Sequence, residues 1–315
     1  MRLLVRSITL EAEGILSFEL VHPNRTALPP FEPGSHVDVT MADGRLRQYS
    51  LCNDPAERQR YRIAVLREVA GRGGSRFMHE DVRVGGFLEV SLPRNHFPLA
   101  ADAGRHLLIA GGVGITPILS MAHSLRRQAA AYEIHYCTRS EGRTAFKEEV
   151  GQVAAGKVSI HHDHGDPSSG LDVAGLLRVV VPGTHVYCCG PAGLMRAVEA
   201  ATTHWPPQSI HFEHFAAAKD DPSTAEGDAE FEVELTSTGA ILPVPADRTI
   251  LAVLRSAGTQ VESSCEAGVC GTCRTRYLSG SPHHRDYVLT DDERRDWIMV
   301  CVSRATPGDR LVLDL

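Results

Sequence analysis

The chain has 315 residues, 43% of them hydrophobic, and a formal net charge of −7. That length predicts two or three domains, each with enough apolar residues for a buried core. The negative balance argues against nucleic acid as a partner, because phosphate binding needs a basic face. No apolar run reaches the roughly 18 residues of a membrane span, so no membrane association is expected. The opening MRLLVRSITLEAEG is too short and too polar in its apolar part to read as a signal peptide. Of eight cysteines, four cluster, while Cys52, Cys137, Cys188 and Cys189 are scattered. That is not the pattern of a secreted disulfide framework, and it predicts a cytoplasmic protein in a reducing compartment.

Residues 1–100 predict an antiparallel β-barrel. Short alternating runs such as LSFELV (16–21), HVDVT (36–40), YRIAVLRE (61–68) and FLEVSLP (87–93) are separated by turn clusters rich in Gly, Pro, Asn and Asp. Residues 101–218 change rhythm. Strands are expected at HLLIAGG (106–112), YEIHYCTR (132–139), VSIHHDH (158–164) and HVYCCG (185–190), with helices between them, the first opened by Pro117. Alternating strand and helix implies a parallel sheet with helices on both faces. The small, polar composition of 216–229 predicts a linker, placed at 219–228 between the domains. Residues 229–315 predict a compact α+β domain, with a hairpin at 231–244, a helix capped by Asp247 and stopped at Gly258, and a closing strand at RLVLDL. From Glu226 onward there are 15 Asp and Glu against 9 Arg and no Lys, which suits either a basic partner surface or a solvated face.

Three stretches carry chemistry. SSCEAGVCGTC spaces Cys265, Cys270 and Cys273 as C-x4-C-x2-C, and 27 residues separate Cys273 from Cys301. This is the plant-type [2Fe–2S] spacing. Zinc fits less well, since only Cys270 and Cys273 form a short-spaced pair. Gly111, Gly112 and Gly114 follow a buried strand and precede a helix, as a nucleotide-binding turn requires, although Pro117 stands where the dinucleotide fingerprint has its third glycine. CCGP adds Cys189, Gly190 and Pro191 at a second strand end. Thr138 and Arg139 fall where an adenosine ribose is expected. Asp163 nearby would repel a 2′-phosphate and favour NAD, whereas Arg139 argues the other way. The histidines at 135, 161, 162 and 164 could suggest a metal, but strand alternation sends neighbours to opposite faces. In the first domain, Arg47 offers charge to a flavin phosphate and Gly73, Gly74 and Ser75 offer donors. Tyr49 can stack or hydrogen-bond, and Ser50 is placed to reach the reactive edge of the ring.

RQYSL, GRGGS, AGGVGITP, YCCGP, HFEHF and SSCEAGVCGTC occur in this order, and the whole chain resembles the family of phthalate dioxygenase reductase and vanillate O-demethylase reductases. The resemblance implies an FMN barrel, an NAD domain and a β-grasp ferredoxin domain. It implies that Arg47, Gln48, Tyr49, Ser50, Val65, Gly73, Gly74, Ser75 and Thr116 contact FMN, and that Gly112, Gly114, Gly190 and Pro191 line the NADH crevice. Phe215, last aromatic of HFEHF, should cover the flavin; relatives flank it with serine and glycine, whereas this chain has His214 and Ala216. The implied activity passes electrons from NADH through FMN and the [2Fe–2S] cluster to a Rieske-type oxygenase, with the reductase a monomer. A hydride relay needs orientation rather than an acid or base, so no catalytic dyad is expected; Ser50, Thr116, Cys189 and Phe215 should lie near the transfer site. Two other readings are a stand-alone NADH oxidoreductase with a different acceptor and a redox-sensing module.

Overall fold

Alternating burial turns the first hundred residues into antiparallel strands, and the computed structural model describes residues 1–42, 44–68, 73–154, 157–215 and 228–315. In chain order these begin with β1 (Arg2–Ala12), β2 (Ile15–Val21), β3 (Ser35–Thr40), β4 (Leu46–Ser50), β5 (Tyr61–Leu66), the short helix α1 (Gly74–Glu80), β6 (Phe87–Glu89) and β7 (Arg94–Asn95). One sheet has the order β5-β2-β1-β6, the other β4-β3-β7. Single bridges, Val39 to Val90 and Leu51 to Ile63, join the two sheets into a barrel. Inward residues of both, among them Leu3, Phe18, Val37 and Ile63, form one apolar core.

The next segment runs β8 (Arg105–Gly111), α2 (Ile115–Arg127), β9 (Tyr132–Thr138), α3 (Lys147–Ala154), β10 (Val158–His162), α4 (Val173–Leu177), β11 (Thr184–Cys189), α5 (Ala192–Ala201) and β12 (Ile210–Glu213). All neighbours in the sheet β10-β9-β8-β11-β12 are parallel. The order reverses between β8 and β11. In such sheets, ligands bind beyond the carboxyl ends of the strands at that switch point. Pro117 sits in the first turn of α2 rather than at its start, because a 3₁₀ turn at Gly112–Gly114 already begins the helical winding.

The barrel and the parallel sheet share a core within one compact unit, Met1–Glu213. Ile15, Ala64 and Phe97 from the barrel pack in one cluster with Ile118, Met121, Phe146 and Tyr187. Arg62 of β5 bonds Glu149 of α3 at 2.6 Å and lies over the Phe146 ring at 5.0 Å. Burial alone would raise the Glu149 carboxyl, but hydrogen bonds from His123 and Arg62 outweigh it and hold it down to about 2. His135 and His161, on adjacent strands, lie side by side on one face and share a 3.1 Å hydrogen bond.

The second unit, His214–Leu315, contains β13 (Phe231–Leu235), β14 (Ile241–Val244), α6 (Ile250–Ser256), β15 (Arg274–Ser279), β16 (Pro282–His283), β17 (Trp297–Met299), β18 (Arg304–Ala305) and β19 (Arg310–Leu313). Its main sheet has the order β14-β13-β19-β15-β17, with β13 and β19 parallel. Ile250, Leu251, Val253 and Leu254 of α6 fill the core above Phe231, Val233, Ile298 and Leu311. The α6 cap is Thr249, whose hydroxyl accepts the Ala252 N–H at 3.1 Å, and not Asp247, which lies two residues too early to reach that turn. Gly258 ends the helix as expected, at φ +82°.

Most of the expected linker falls outside the described residues, but Asp228 does not, and it is no free tether. Its carboxylate pairs with Arg285 through two bonds and approaches Arg304 at 3.4 Å. Arg304 is 2% exposed, donates to the carbonyls of Arg248, Ala229 and Pro245, and lies over the Phe231 ring. Composition cannot foresee this, because partners separated by more than fifty residues make an aspartate structural. Arg304→Ala should destabilise the protein by about 3–5 kcal/mol, the usual cost of stranding a buried partner. Urea unfolding followed by circular dichroism checks it; an unchanged midpoint would mean that Asp228 and Arg285 suffice.

Candidate functional site

The switch point is built from backbone. β8 delivers Gly111, Gly112 and Gly114 to the same edge where β11 delivers Cys189, Gly190 and Pro191. A Cβ on Gly114 would sit 2.2 Å from the Cys189 carbonyl oxygen, so only glycine lets the two turns come this close. Tyr136 donates to the Gly112 carbonyl at 3.1 Å and pins the turn from β9. Pro191 caps the ten-residue helix α5, directing that helix's N-terminus at the crevice. One strand over, Thr138 Oγ1 lies 2.9 Å from both Thr144 Oγ1 and His162 Nδ1. Asp163 follows β10, and its Oδ1 accepts the Gly165 N–H. Thr138, Arg139 and Asp163 thus gather at the carboxyl ends of β9 and β10, next to the switch point. Nicotinamide and adenosine halves of a dinucleotide fit along this edge.

On the barrel side, Arg47 of β4 lies directly against α1. A Cβ on Gly74 would meet Arg47 Cγ at 2.7 Å and Nε at 2.8 Å. The missing side chain leaves a cradle where a guanidinium meets the first-turn amides of α1, which lie outside the helix's own bonding. Gly73 precedes it at φ +88°, and Ser75 Oγ accepts the Glu68 N–H, with no acceptor for its own O–H among the described residues. That donor set fits a phosphate monoester. Burial raises the Tyr49 phenol above its ordinary value, with Arg47 opposing. Gln48 Nε2 lies 3.2 Å from His36 Nε2. Val65 turns its side chain into the barrel core, and its carbonyl lies 2.9 Å from His79 Nε2.

Between the two halves stands Glu213, the last residue of β12, which sequence reading passed over although HFEHF contains it. Ser50 Oγ donates to Glu213 Oε2 at 3.1 Å, and Cys189 Sγ lies 3.9 Å from the same oxygen. Burial pushes the Glu213 carboxyl up to about 8, against the pull of the Ser50 and Cys189 hydrogen bonds. Burial, followed by Glu213, pushes the Cys189 thiol far above its usual range, so it is a packing group and not a nucleophile. Thr116, 2% exposed, donates to the Val113 carbonyl at 3.0 Å. Phe215 is exposed and groups with the second unit.

In that unit, four thiols converge as two pairs. Cys265 lies beside Cys270, and Cys273 beside Cys301. Ala267 and Val269 donate N–H groups to Cys265 Sγ at 3.3 and 3.4 Å, and the Cys265 N–H points to Cys270 Sγ at 3.5 Å. Four thiols with backbone amides directed at their sulfurs are the donor set that would hold a [2Fe–2S] cluster.

These centres place the protein among flavin- and nicotinamide-dependent reductases that carry their own [2Fe–2S] domain. Residues 233–306 match the 2Fe-2S iron-sulfur cluster binding domain, and residues 91–209 match the N-terminal domain of dimethylamine monooxygenase subunit DmmA-like proteins. The chain is 48% identical, over all of its length and 96% of the relative's, to the tert-butanol monooxygenase / tert-amyl alcohol desaturase reductase subunit of Aquincola tertiaricarbonis. It is 47% identical to phthalate dioxygenase reductase of Burkholderia cepacia, covering 100% of this chain and 97% of that one. A solved phthalate dioxygenase reductase, titled as a modular structure for electron transfer from pyridine nucleotides to [2Fe-2S], superimposes with a TM-score of 0.76 at 47% identity, covering 100% and 98% of the two chains. An intact type IV self-sufficient cytochrome P450 monooxygenase matches all of this chain with 41% of its own, at 40% identity and a TM-score of 0.88. The chain belongs to the phthalate dioxygenase reductase family.

Gly114→Ala should slow flavin reduction by NADH about 10²-fold while leaving flavin bound, because the added methyl displaces the Cys189 turn by about an ångström. Rapid mixing at saturating NADH measures this; an undiminished rate would show that the crevice lies elsewhere.

Proposed function

We propose that this protein is a cytoplasmic, monomeric, NADH-dependent reductase that passes electrons through FMN and a [2Fe–2S] cluster to a Rieske-type terminal oxygenase. The observation that carries the reading is the presence in one chain of a phosphate cradle, a dinucleotide switch point and a four-thiol loop. Among the described residues no helix is long and apolar enough to cross a membrane. Bound flavin supplies two-electron chemistry toward nicotinamide and one-electron chemistry toward an iron–sulfur centre.

The chain's own residues orient and insulate. Arg47, Gly73, Gly74 and Ser75 hold the flavin phosphate; a single phosphate against one arginine and one short helix favours FMN over FAD. Gln48, Tyr49, Ser50, Thr116 and the backbone at Val65 form the rest of the flavin site. Gly111, Gly112, Gly114, Cys189, Gly190 and Pro191 bring nicotinamide to it, and Thr138, Arg139 and Asp163 take the adenosine ribose. Glu213 holds a proton at its carboxyl up to pH about 8 and fixes the Ser50 hydroxyl by hydrogen bonding. Cys265, Cys270, Cys273 and Cys301 hold the cluster.

A haem oxygenase as partner is a second reading, favoured by the full-length match to the type IV cytochrome P450. Reconstitution separates the two: the proposal expects product formation when the reductase is mixed with a Rieske oxygenase and none with an isolated P450 haem domain. Within the reductase, NADH should bleach flavin and cluster bands within seconds, with one FMN and two irons per chain; FAD or fewer irons would overturn that part. Cys301→Ser should abolish the cluster bands while NADH still bleaches the flavin.

Glu213 gives a pH signature. Its pKa is raised from 4.5 to about 8 by burial, so the native state binds the extra proton between those values. Stability from this group is therefore complete below about pH 4.5 and is lost as pH rises through about 8. Thermal melts of the wild type should fall with pH across that window relative to Glu213→Gln, which stays neutral. Parallel curves for the two proteins would show that Glu213 is ionised throughout.

A further inference from the structure

The cluster loop is held by a buried carboxylate that none of the readings above uses. Asp286 has a side chain with no exposed surface. Its Oδ2 accepts the N–H groups of Val288 and Leu289 at 3.2 and 2.8 Å, folding residues 286–289 into a tight turn. Inside that turn the Tyr287 N–H donates to the Gly268 carbonyl at 3.0 Å. Gly268 lies between Cys265 and Cys270 at φ +70°, and a Cβ on it would meet Val302 Cγ2 at 2.8 Å and Asp286 Cα at 3.2 Å. The N–H of the same peptide unit, that of Val269, donates to Cys265 Sγ at 3.4 Å. The turn therefore grips the Gly268–Val269 peptide by its carbonyl, while the N–H of that same peptide faces the first cluster ligand.

We propose that Asp286 is a positioning residue for the [2Fe–2S] cluster, keeping the Val269 N–H on Cys265 Sγ and thereby raising the cluster's reduction potential. A hydrogen bond to a ligand sulfur stabilises the added negative charge of the reduced state, so losing it makes reduction harder. The carboxylate could instead act by its charge, which opposes reduction. Its neighbours argue against a bare charge: Arg294 Nη2 donates to the Asp286 carbonyl at 3.1 Å and lies 3.9 Å from Oδ2, and His284 Nδ1 lies 3.8 Å from Oδ1. The two roles predict opposite changes on substitution.

The test is a redox titration of the cluster in full-length holoprotein, read by its visible bands and by the EPR signal of the reduced form. Asp286→Asn keeps an oxygen acceptor for the turn and removes the charge; Asp286→Glu keeps the charge and displaces the acceptor. The positioning role expects Asp286→Asn to stay within twofold of wild type in the one-electron equilibrium constant. It expects Asp286→Glu to be at least tenfold harder to reduce, a shift of about 59 mV, with altered EPR g-values. A rise in potential in Asp286→Asn exceeding any change in Asp286→Glu overturns the proposal in favour of charge, and no shift in either variant overturns it outright. The inference rests on the cluster assignment. Wild-type protein without iron or an EPR signal would remove both, whereas a normal wild-type cluster with unmoved variants removes only the role of Asp286.

Discussion

Everything in the first unit depends on how near two loops of backbone can come at one edge of the parallel sheet. The turn after β8 and the turn after β11 touch at Gly114 and Cys189, with no room for a methyl group between them. That approach opens the crevice at the switch point, aims α5 at it and sets Cys189 beside Glu213. The barrel is fixed against the same sheet by a shared apolar core and by Arg62 and Glu149. Ser50 of the barrel therefore reaches Glu213 of the sheet without any flexible intermediary. Rigidity of this kind suits a reaction in which orientation is the main contribution of the protein.

The two sites that handle electrons use different physical means. At the nicotinamide crevice, glycines remove side chains so that backbone and helix ends can meet a ligand. At the cluster, amides surround sulfur, and three ligands come from one loop and the fourth from a distant turn. One site is shaped by what is absent from the backbone, the other by what the backbone donates.

Much of this was legible in the sequence because it rests on local spacing. C-x4-C-x2-C, the glycine turns and the alternation of strand and helix all act over a few residues, and the alternation gave the parallel sheet that was expected. The elements that were missed depend on partners far apart in the chain. Glu213 looks like any strand glutamate until Ser50, 163 positions away, is brought to it. Asp286 reads as a surface aspartate until burial and the Gly268 contact are seen. Asp247 looked like a helix cap because its residue type fits, yet Thr249 has the geometry. The histidine-rich strands were read by face alternation along one strand, which says nothing of the pairing of His135 with His161 across two.

Asp228, gripped by Arg285 and Arg304, anchors the chain just ahead of β13. Both arginines belong to the ferredoxin unit, so this end of its sheet is fixed by ion pairs of the unit's own. A unit that carries its own anchor can be joined to other proteins as an interchangeable part, with the load of the join taken by the anchor.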